Sequence, residues 1–484
     1  MKRYLIALVA MVAVLALVMP ASAAELRFGG YYDTKMYHTS NLIDGDDDAD
    51  DQADGIKTRM RLYFTAIGSE NLRAVVKTEF DDVWGNGRLG RQGADGGSRD
   101  DSGFEIKNGY IDFNVPDTPL NVKVGIIPAK IGKSGIVYND DTSGVAFGAN
   151  FDPVKVALVY SRLNDNDQDG FPWTDVTDST ATDMDDDVDL WAFDIKYSQE
   201  MYNLAFGAAW VNTESRPSAN QKVPCVIDPD DGTLNADCGD DLGTNDHDKD
   251  LDYFIFALDF DLNLDIFNFY LTAAQNAGSD DGADAGDGAD YKGYLITLGG
   301  AAAVTDMVTA GFDFYLASGD DDPTDGDIDS FQTLGGVGRP SYNMDEAVFP
   351  GWFDDETATV TTLPTTAVAA NNITSTGGFS SGGFVINNII AIGAHADLKP
   401  LDQTMINVGL AYLLPHEDID ADGDGDLDDD DPYGTSVYVR LQQGITDGLK
   451  LKATIGYLFA DDGYAPTEND DNAYRMGLGL FWSW

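Results

Sequence analysis

Basic residues are scarce in this chain of 484 residues, which has 29 lysines and arginines against 84 aspartates and glutamates. The formal net charge is −55 at pH 7. So negative a molecule repels a phosphate backbone, and this excludes nucleic acid as a partner. The acid does not make the chain disordered. Hydrophobic residues form 43% of it and aromatic residues 11%, whereas disordered chains are poor in such residues.

Cysteine and histidine are also rare. The two cysteines, Cys225 and Cys238, lie in one acidic segment, and in an exported protein we expect them to form a loop disulfide. The four histidines are scattered, and none has a nucleophile and an orienting acid in a recognisable context. The sequence therefore predicts that the protein is not an enzyme.

Long hydrophobic runs are absent except at the N-terminus, where Tyr4 to Met19 is uninterrupted. Two basic residues precede this run, and a proline and small residues follow it. This order is typical of a secretory signal peptide, which we place at 1–23, with the mature protein at 24–484. No other stretch reaches the roughly 18 apolar residues of a membrane helix.

Two-residue periodicity dominates the mature chain. From Tyr474 to Trp484 every second residue is apolar, and Arg475, Gly477, Gly479 and Ser483 are among the residues between them. Strands send alternate side chains to opposite faces, so this pattern predicts a strand with one apolar face. An alternating strand that ends on an aromatic residue resembles the closing strand of bacterial outer-membrane β-barrels.

Tight turns and long connections alternate strictly between the predicted strands. Short turns fall near 69–71, 116–119, 150–153, 198–202, 261–265, 304–307, 399–403 and 445–448. Long acidic or glycine-rich connections fall near 39–55, 84–102, 128–143, 164–187, 213–250, 277–289, 318–384, 415–434 and 461–471. The pattern predicts an all-β, transmembrane, antiparallel up-and-down barrel of about 18 strands, with 16 as the alternative. Its apolar faces point to lipid and its polar faces to an aqueous lumen.

Three segments carry a resemblance to a known family: Leu72–Asn86, Glu105–Ile126 and Asn139–Phe147. They resemble the general trimeric outer-membrane porins and are most similar to the homotrimeric porin group of sulfate-reducing bacteria. The resemblance implies a passive diffusion channel for small hydrophilic solutes in outer-membrane lipid. It also implies a homotrimer, and a third long connection that folds inward to narrow the pore.

The connection at 128–143 maps onto that constriction loop. A constriction places opposite charges across a narrow gap, which orients and filters solutes. The candidate residues on the loop and on the facing strands are Lys130, Lys133, Asp140, Asp141, Arg59, Arg61, Arg73, Lys77 and Lys123. The alternative is that they are ordinary solvated charges of the lumen. The sign of the selectivity stays open.

One acidic loop has the spacing of a calcium site, D-x-D-x-D-G followed by a closing acid at position 12. The ligands would be Asp420, Asp422, Asp424, Asp426 and Asp431. The first half of the motif recurs at Asp165, Asp167 and Asp169. We expect structural Ca²⁺ at these loops, with a solvated acidic loop as the alternative.

Two further functions remain open. The first is a calcium-dependent surface or adhesion protein that uses the barrel only as an anchor. The second is a substrate-specific channel, which aromatic tracks along the lumen would mark, and Tyr63, Tyr110 and Tyr438 are too sparse to claim it. The segment 318–384 is long enough to fold into the lumen, cap the mouth or cover a neighbouring protomer.

Overall fold

The computed structural model describes residues 25–41, 53–84, 104–164, 188–213, 251–280, 289–320, 327–334, 388–418, 431–461, 463 and 472–484. No helix in this part of the chain is long and apolar enough to cross a membrane. The strands found there are β1 (Glu25–Ser40), β2 (Ala53–Ser69), β3 (Leu72–Val83), β4 (Glu105–Asn114), β5 (Leu120–Ile131), β6 (Tyr138–Asn150), β7 (Val154–Asn164), β8 (Val188–Ser198), β9 (Tyr202–Thr213), β10 (Leu251–Asn263), β11 (Phe267–Asp280), β12 (Ala289–Tyr291), β13 (Tyr294–Thr305), β14 (Val308–Ala317), β15 (Asp327–Ile328), β16 (Ile389–Leu401), β17 (Thr404–Leu414), β18 (Gly434–Thr446), β19 (Leu449–Ala460) and β20 (Ala473–Ser483).

Eighteen of these strands form a closed antiparallel barrel. Neighbours in the chain pair with one another, and β1 pairs on one side with β2 and on the other with β20. The short strands β12 and β15 pair with each other in parallel and are not members of the ring, so β11 pairs directly with β13 and β14 with β16. The predicted all-β barrel of 18 strands is confirmed, and the alternative of 16 is wrong.

One end of the barrel carries only tight connections. Successive strands are joined there over two to five residues, with the longest short connection at Val115–Pro119, as the sequence predicts. The start of β1 and the end of β20 meet at this end. The Trp484 amide donates to the Gly30 carbonyl at 3.2 Å or less in a reciprocal pair of backbone hydrogen bonds. The closed ring leaves no unpaired strand edge.

The outer face of the barrel is apolar. On β20, Met476, Leu478, Leu480 and Trp482 alternate outward, each exposed by 38% or more, whereas Arg475 faces inward and is 1% exposed. Exposed aliphatic and aromatic side chains continue in the same alternation around the ring. A closed sheet with such a surface satisfies its backbone internally and presents its apolar side chains to lipid.

The inner face is less uniformly polar than the sequence predicts. On β10 the inward residues Leu251, Tyr253 and Ile255 lie toward the long connections and are 0 to 1% exposed, while Asp259 and Asp261 lie toward the tight turns. The prediction of a wet inner face throughout is therefore wrong at the long-connection end. The acid is not confined to external loops either, since Asp259 and Asp313 are buried on inward positions.

A segment inside the barrel explains part of this apolar inner surface. The strap, defined as residues 327–334, buries Phe331 and Leu334 to 1% exposure or less. The Asn276 side chain on β11 holds it, since Oδ1 accepts from the Gln332 amide at 2.7 Å and Nδ2 donates to the Gln332 carbonyl at 3.0 Å. Of the segment 318–384, this part thus folds into the lumen; most of the remainder lies outside the described residues.

The start of the strap is held at the barrel rim. The Lys292 amide donates to the Ile328 carbonyl at 3.0 Å, and the Lys292 ammonium pairs with the Asp327 carboxylate. The hydrogen bond from the ammonium group to Asp327 raises the pKa of Lys292. Gly293 lets the strap approach closely, because a Cβ there would lie 2.4 Å from the Ser330 carbonyl oxygen.

Candidate functional site

Strands β5 and β6 leave the barrel wall together. Pairing of β5 with β4 stops at Ile126, and pairing of β6 with β7 stops at Gly144. Beyond these points the two strands pair only with each other, from Ile127 opposite Thr142 to Ile131 opposite Tyr138. We call residues 127–143 the inner hairpin.

A glycine pair marks the place where the inner hairpin departs. Gly125 and Gly144 are register partners, and Gly125 has a φ of 129°. A Cβ on Gly125 would lie 2.2 Å from the Gly109 carbonyl oxygen on β4, and a Cβ on Gly144 would lie 2.1 Å from the Tyr160 carbonyl oxygen on β7. Only glycine allows both neighbouring backbones to come this close.

The sequence predicts a loop at 128–143, and the structure corrects its conformation. The segment is a β-hairpin, and only Gly132–Val137 lies outside strands. The alternation of Ile127, Ala129 and Ile131 with exposed residues was the available signal, because two-residue periodicity indicates a strand.

A carboxylate on β10 holds the tip of the inner hairpin. Asp259 Oδ2 accepts from the Lys133 amide at 2.7 Å and from the Ser134 amide at 3.2 Å. Its other oxygen accepts from the Thr272 hydroxyl at 2.7 Å. Both oxygens of a carboxylate that is 3% exposed are therefore satisfied, and two of these bonds fix the tip.

Contacts with three adjacent strands complete the docking of the tip. The Gly132 amide donates to Asp194 Oδ1 on β8 at 3.2 Å, and the Lys133 ammonium pairs with Asp261 on β10. Gly207 on β9 leaves room for the tip, because a Cβ there would lie 3.0 Å from the Gly132 nitrogen. The inner hairpin thus crosses to the inner side of β8, β9 and β10.

The inner hairpin covers an apolar part of the wall. Its buried side chains and those of β7 to β10 belong to one hydrophobic cluster, which continues through the strap to β20. The members from the inner hairpin and from β7 to β10 are Ile127, Ala129, Ile131, Ile136, Val137, Tyr138, Val159, Leu190, Ala192, Ala209, Val211, Leu251, Tyr253, Ile255 and Ala257. Covering this surface is worth about 25 cal/mol per Å² of apolar area.

The structure brings the predicted wall arginines together, but each is paired with an acid on the next strand. Arg59 forms a bidentate pair with Asp81 at 2.7 and 2.8 Å and lies 3.0 Å from Glu79. Arg61 also pairs with Glu79. The basic wall predicted from the sequence is therefore a wall of ion pairs at this level. Glu79 and Asp81 follow Lys77 on β3 at intervals of two residues, so the sequence already places them on the same lumen-facing side as Lys77.

Arg73 is paired in the same way nearer the tight turns. Its Nη2 lies 2.5 Å from Asp112 Oδ2 on β4, and the Asn121 amide donates to the other Asp112 oxygen at 2.6 Å. Asp112 is 4% exposed.

The predicted wall lysines have aromatic rather than acidic neighbours. The Lys77 ammonium lies 5.7 Å from the centre of the Tyr63 ring, and the Lys123 ammonium lies 5.8 Å from the centre of the Tyr110 ring. These distances are within the range of cation–π contacts.

The charged residues predicted on the constriction loop have different surroundings in the structure. Asp141 turns to β4, where it accepts from Asn108 at 2.7 Å and lies 3.2 Å from the Lys107 ammonium. Asp140 is the register partner of the buried Ala129 and shares its face, while Lys130 is exposed. Lys107 was missed by the sequence analysis, because a register shift between Lys77 and Thr78 alters the alternation along this pair of strands.

The remaining predicted site residues lie outside the described residues, except Asp431. They are the signal peptide at 1–23, Cys225 and Cys238, Asp165, Asp167, Asp169, Asp420, Asp422, Asp424 and Asp426. Asp431 precedes β18 next to Tyr433, whose hydroxyl donates to the Asn388 carbonyl at 3.0 Å. Burial raises the pKa of Tyr433 far above its usual range. No group of three or more acids, histidines or cysteines is arranged for a metal in the part that the structure describes.

No family model and no curated protein sequence matches this chain. Solved structures match it over nearly its whole length. OccAB2 of Acinetobacter baumannii is 10% identical with a TM-score of 0.53, and the match covers 95% of this chain and 98% of that one. OccAB4 of the same organism is 9% identical, with a TM-score of 0.52 and 96% and 99% covered. The outer membrane protein OprD from Pseudomonas aeruginosa is 10% identical, with a TM-score of 0.50 and 95% and 94% covered.

At this identity the likeness shows the fold alone. The fold is the 18-stranded barrel of bacterial outer-membrane proteins, and the exposed apolar belt of this chain requires a lipid environment. The protein therefore belongs in the bacterial outer membrane. Barrels of this kind turn their tight connections toward the periplasm and their long connections outward, and we expect the same orientation here.

Proposed function

We propose that the protein is a passive diffusion channel for small hydrophilic solutes, and that the inner hairpin forms its constriction. The observation that carries the proposal is the departure of residues 127–143 from the wall into the lumen of a closed 18-stranded barrel. Barrels of 16 to 18 strands are wide enough to hold a water-filled passage. The role is transport and not catalysis.

The path of the solute follows from where the hairpin is docked. Its tip is fixed to β8, β9 and β10, so the free lumen lies between the hairpin and the opposite strands. The inward side chains of β2 to β5 line that passage with the paired arginines and the two lysines. Charged and hydrogen-bonding walls of this kind favour small polar solutes over apolar ones.

Single-channel recording in planar bilayers tests the channel. We expect purified, folded protein to give stepwise, ohmic current at both polarities. Folding is checked separately by the faster migration of an unheated barrel on a detergent gel. Folded protein that inserts into the bilayer and gives no current would overturn the proposal.

The loop from Asp420 to Asp431 is proposed as a structural calcium site. The support is the spacing of its acids, with Gly425 at the sixth position for the sharp turn and Asp431 at the twelfth. We expect a chelator to lower the melting temperature of the wild type, and we expect no such effect in Asp420→Asn/Asp424→Asn. The same test at Asp165→Asn/Asp167→Asn examines the second, partial motif. An unchanged melting temperature in the wild type would contradict calcium binding.

A calcium-dependent surface protein that uses the barrel as an anchor is the second candidate. The apolar cluster favours it, because this cluster occupies inner positions from β5 to β20 at the external end. Calcium-dependent self-association of proteoliposomes, without current in bilayers, would favour this function over the channel. Current without self-association would favour the channel.

We also propose a homotrimer and a Cys225–Cys238 disulfide. The support is the family resemblance of the N-terminal strands for the trimer and the exported, oxidising setting for the disulfide. Light scattering in detergent gives the mass of the assembly, and a monomer would contradict the trimer. Thiol labelling of the unfolded, unreduced chain tests the disulfide, and two labelled cysteines would contradict it.

A further inference from the structure

Four lumen-facing residues on neighbouring strands form a compact patch beside the inner hairpin. They are Tyr63 on β2, Lys77 on β3, Tyr110 on β4 and Lys123 on β5. We propose that this lysine–tyrosine patch binds small anions and makes the channel prefer anions to cations. The inference rests on the proposed channel function and deepens it.

The register of the strands makes the patch continuous. Tyr63 is directly opposite Lys77, and Lys77 is opposite Asn108 on β4. Tyr110 lies two residues further along β4, and Lys123 is opposite Asp112, two residues further again. Residues two apart on a strand share a face, so the patch descends diagonally along one side of the lumen toward the periplasm.

The patch carries an excess of positive charge because the surrounding cations are paired. The three pairs around it are Arg61 with Glu79, Arg73 with Asp112, and Lys107 with Asp141. Within the described residues, neither Lys77 nor Lys123 lies within ion-pair distance of a carboxylate. Asp141 and Asp112 act on Lys77 and Lys123 only at longer range, and both carboxylates are already paired with other cations. The two ammonium groups are therefore the cations of this patch that are open to a solute.

The aromatic rings hold these ammonium groups without neutralising them. A cation–π contact is worth about 0.5–1 kcal/mol at an exposed site, and a ring occupies one side of the ammonium only. Hydrogens on the other sides remain available to a ligand. Among the described residues, the hydroxyls of Tyr63 and Tyr110 have no hydrogen-bond partner, so each adds an O–H donor.

A set of two ammonium groups and two hydroxyls, with no carboxylate in direct contact, favours an anion. Ammonium groups donate only, and a tyrosine hydroxyl donates readily to a negatively charged oxygen or halide. Among charged groups, Lys77 interacts most strongly with the carboxylate of Asp141, and next with the cations of Arg61, Lys107 and Lys123. A small anion would relieve the repulsion among these cations, and a cation would increase it.

The position of the patch places it beside the path of ions through the lumen. Lys77 is opposite Asn108, which donates to Asp141 at the base of the inner hairpin. The patch therefore lies where the hairpin leaves the wall. The acidic external connections are screened beyond about 8 to 10 Å in physiological salt, so the local charge of the patch outweighs the net charge of −55.

The reversal potential of the channel in a potassium chloride gradient tests the proposal. We expect the wild type to favour chloride over potassium. In Lys77→Gln/Lys123→Gln the chloride-to-potassium permeability ratio should fall roughly threefold or more, because a unit charge about 6 Å away in water changes ion occupancy by that factor. Lys77→Arg/Lys123→Arg should keep the ratio near that of the wild type.

Two controls separate charge at the patch from charge in general. Lys292→Gln removes the same charge at the external rim, where the lysine pairs with Asp327, and should leave the ratio unchanged. Tyr63→Phe/Tyr110→Phe keeps both rings and removes the hydroxyl donors, and it should weaken anion preference by less than the lysine variant does.

The outcomes distinguish the inference from the channel function. A conducting wild type that favours potassium, or a glutamine double variant with an unchanged ratio, would overturn the patch and leave the channel standing. Folded wild-type protein without any current would overturn the channel itself. A glutamine variant that fails to fold is replaced by the single variants, of which each should shift the ratio in the same direction.

Discussion

Single residues decide how the inner hairpin is placed. Gly125 provides the backbone geometry at its base, and Asp259 provides two acceptor contacts at its tip. One residue acts through the absence of a side chain and the other through a buried charge. Both effects are local, so each is testable by one substitution with a matched control.

Replacing Gly125 should destabilise the barrel at the base of the inner hairpin. Gly125→Ala places a Cβ at a φ of 129° and 2.2 Å from the Gly109 carbonyl oxygen. We expect a loss of about 1–3 kcal/mol in the free energy of unfolding, measured by urea titration in lipid vesicles. Gly148→Ala in β6 is the control, because the nearest atom to its Cβ is 4.0 Å away. Equal losses of stability in the two variants would contradict the requirement for glycine at position 125.

Removing the Asp259 carboxylate should release the tip. Asp259→Ala leaves the amides of Lys133 and Ser134 without their acceptor, and hydrogen bonds to a charged group are worth about 1.5–3 kcal/mol each. We expect noisier and larger single-channel currents as the hairpin moves from the wall. Asp397→Ala is the control, because Asp397 accepts from Asn407 on β17 and does not contact the hairpin. Currents with the size and noise level of the wild type would argue against a role of Asp259 in holding the hairpin tip.

Among the structural elements, the inner hairpin and the strap have the same role inside the barrel. Each brings apolar side chains into the lumen and covers apolar positions of the wall, and each is fixed by hydrogen bonds at buried polar groups. Together they cover part of the inward hydrophobic surface, such as that of Tyr253 on β10, whose hydroxyl donates to the strap. The free lumen is consequently narrower than the number of strands alone implies.

Loosening the strap should widen the external part of the lumen. Asn276 makes two hydrogen bonds to the Gln332 backbone and donates to the Tyr253 hydroxyl at 2.7 Å. At about 1 kcal/mol for each hydrogen bond, Asn276→Ala should cost roughly 2–4 kcal/mol locally. We expect new protease cleavage within 327–334 and a higher conductance. Asn407→Ala is the control, because it removes another buried lumen-facing amide that does not contact the strap. Cleavage within 327–334 in that variant as well would show that Asn276 does not hold the strap specifically.

The whole molecule depends on the contrast between its two surfaces. In the strands of the ring, outward positions are apolar and exposed for contact with hydrocarbon, and inward positions are polar or packed within the barrel. The same charged side chain should therefore cost much more on the outer face than on the inner face.

A charge on the outer face should hinder insertion. Leu478 faces outward and is 39% exposed, and Leu478→Arg should cost about 2–4 kcal/mol near the middle of the bilayer. Thr65→Arg places the same side chain on the lumen side of β2 and should cost less than about 1 kcal/mol. Urea-dependent folding into vesicles measures both. A smaller loss for Leu478→Arg than for Thr65→Arg would show that the faces are assigned the wrong way round.

Much of this architecture is readable from the sequence because its determinants are local. Alternation such as that of Tyr474–Trp484 depends only on the two-residue repeat of a strand, and tight turns depend on a few neighbouring residues. The barrel, its 18 strands and its short turns follow from these signals. The place of the constriction candidate, near 128–143, came instead from the family resemblance, and its hairpin conformation was not predicted.

The partners of the site residues were decided only by the tertiary structure. Which acid neutralises Arg59, which ring lies under Lys77 and which wall receives the hairpin tip all depend on register and on contacts far apart in the chain, such as Lys133 with Asp259. A repeat of two assigns a residue to a face but not to a neighbour, since a shift by two residues preserves the face and changes every pair. For that reason the sequence by itself determined a lipid-embedded tube, and only the folded molecule showed how its interior is filled and which of its charges remain for a solute.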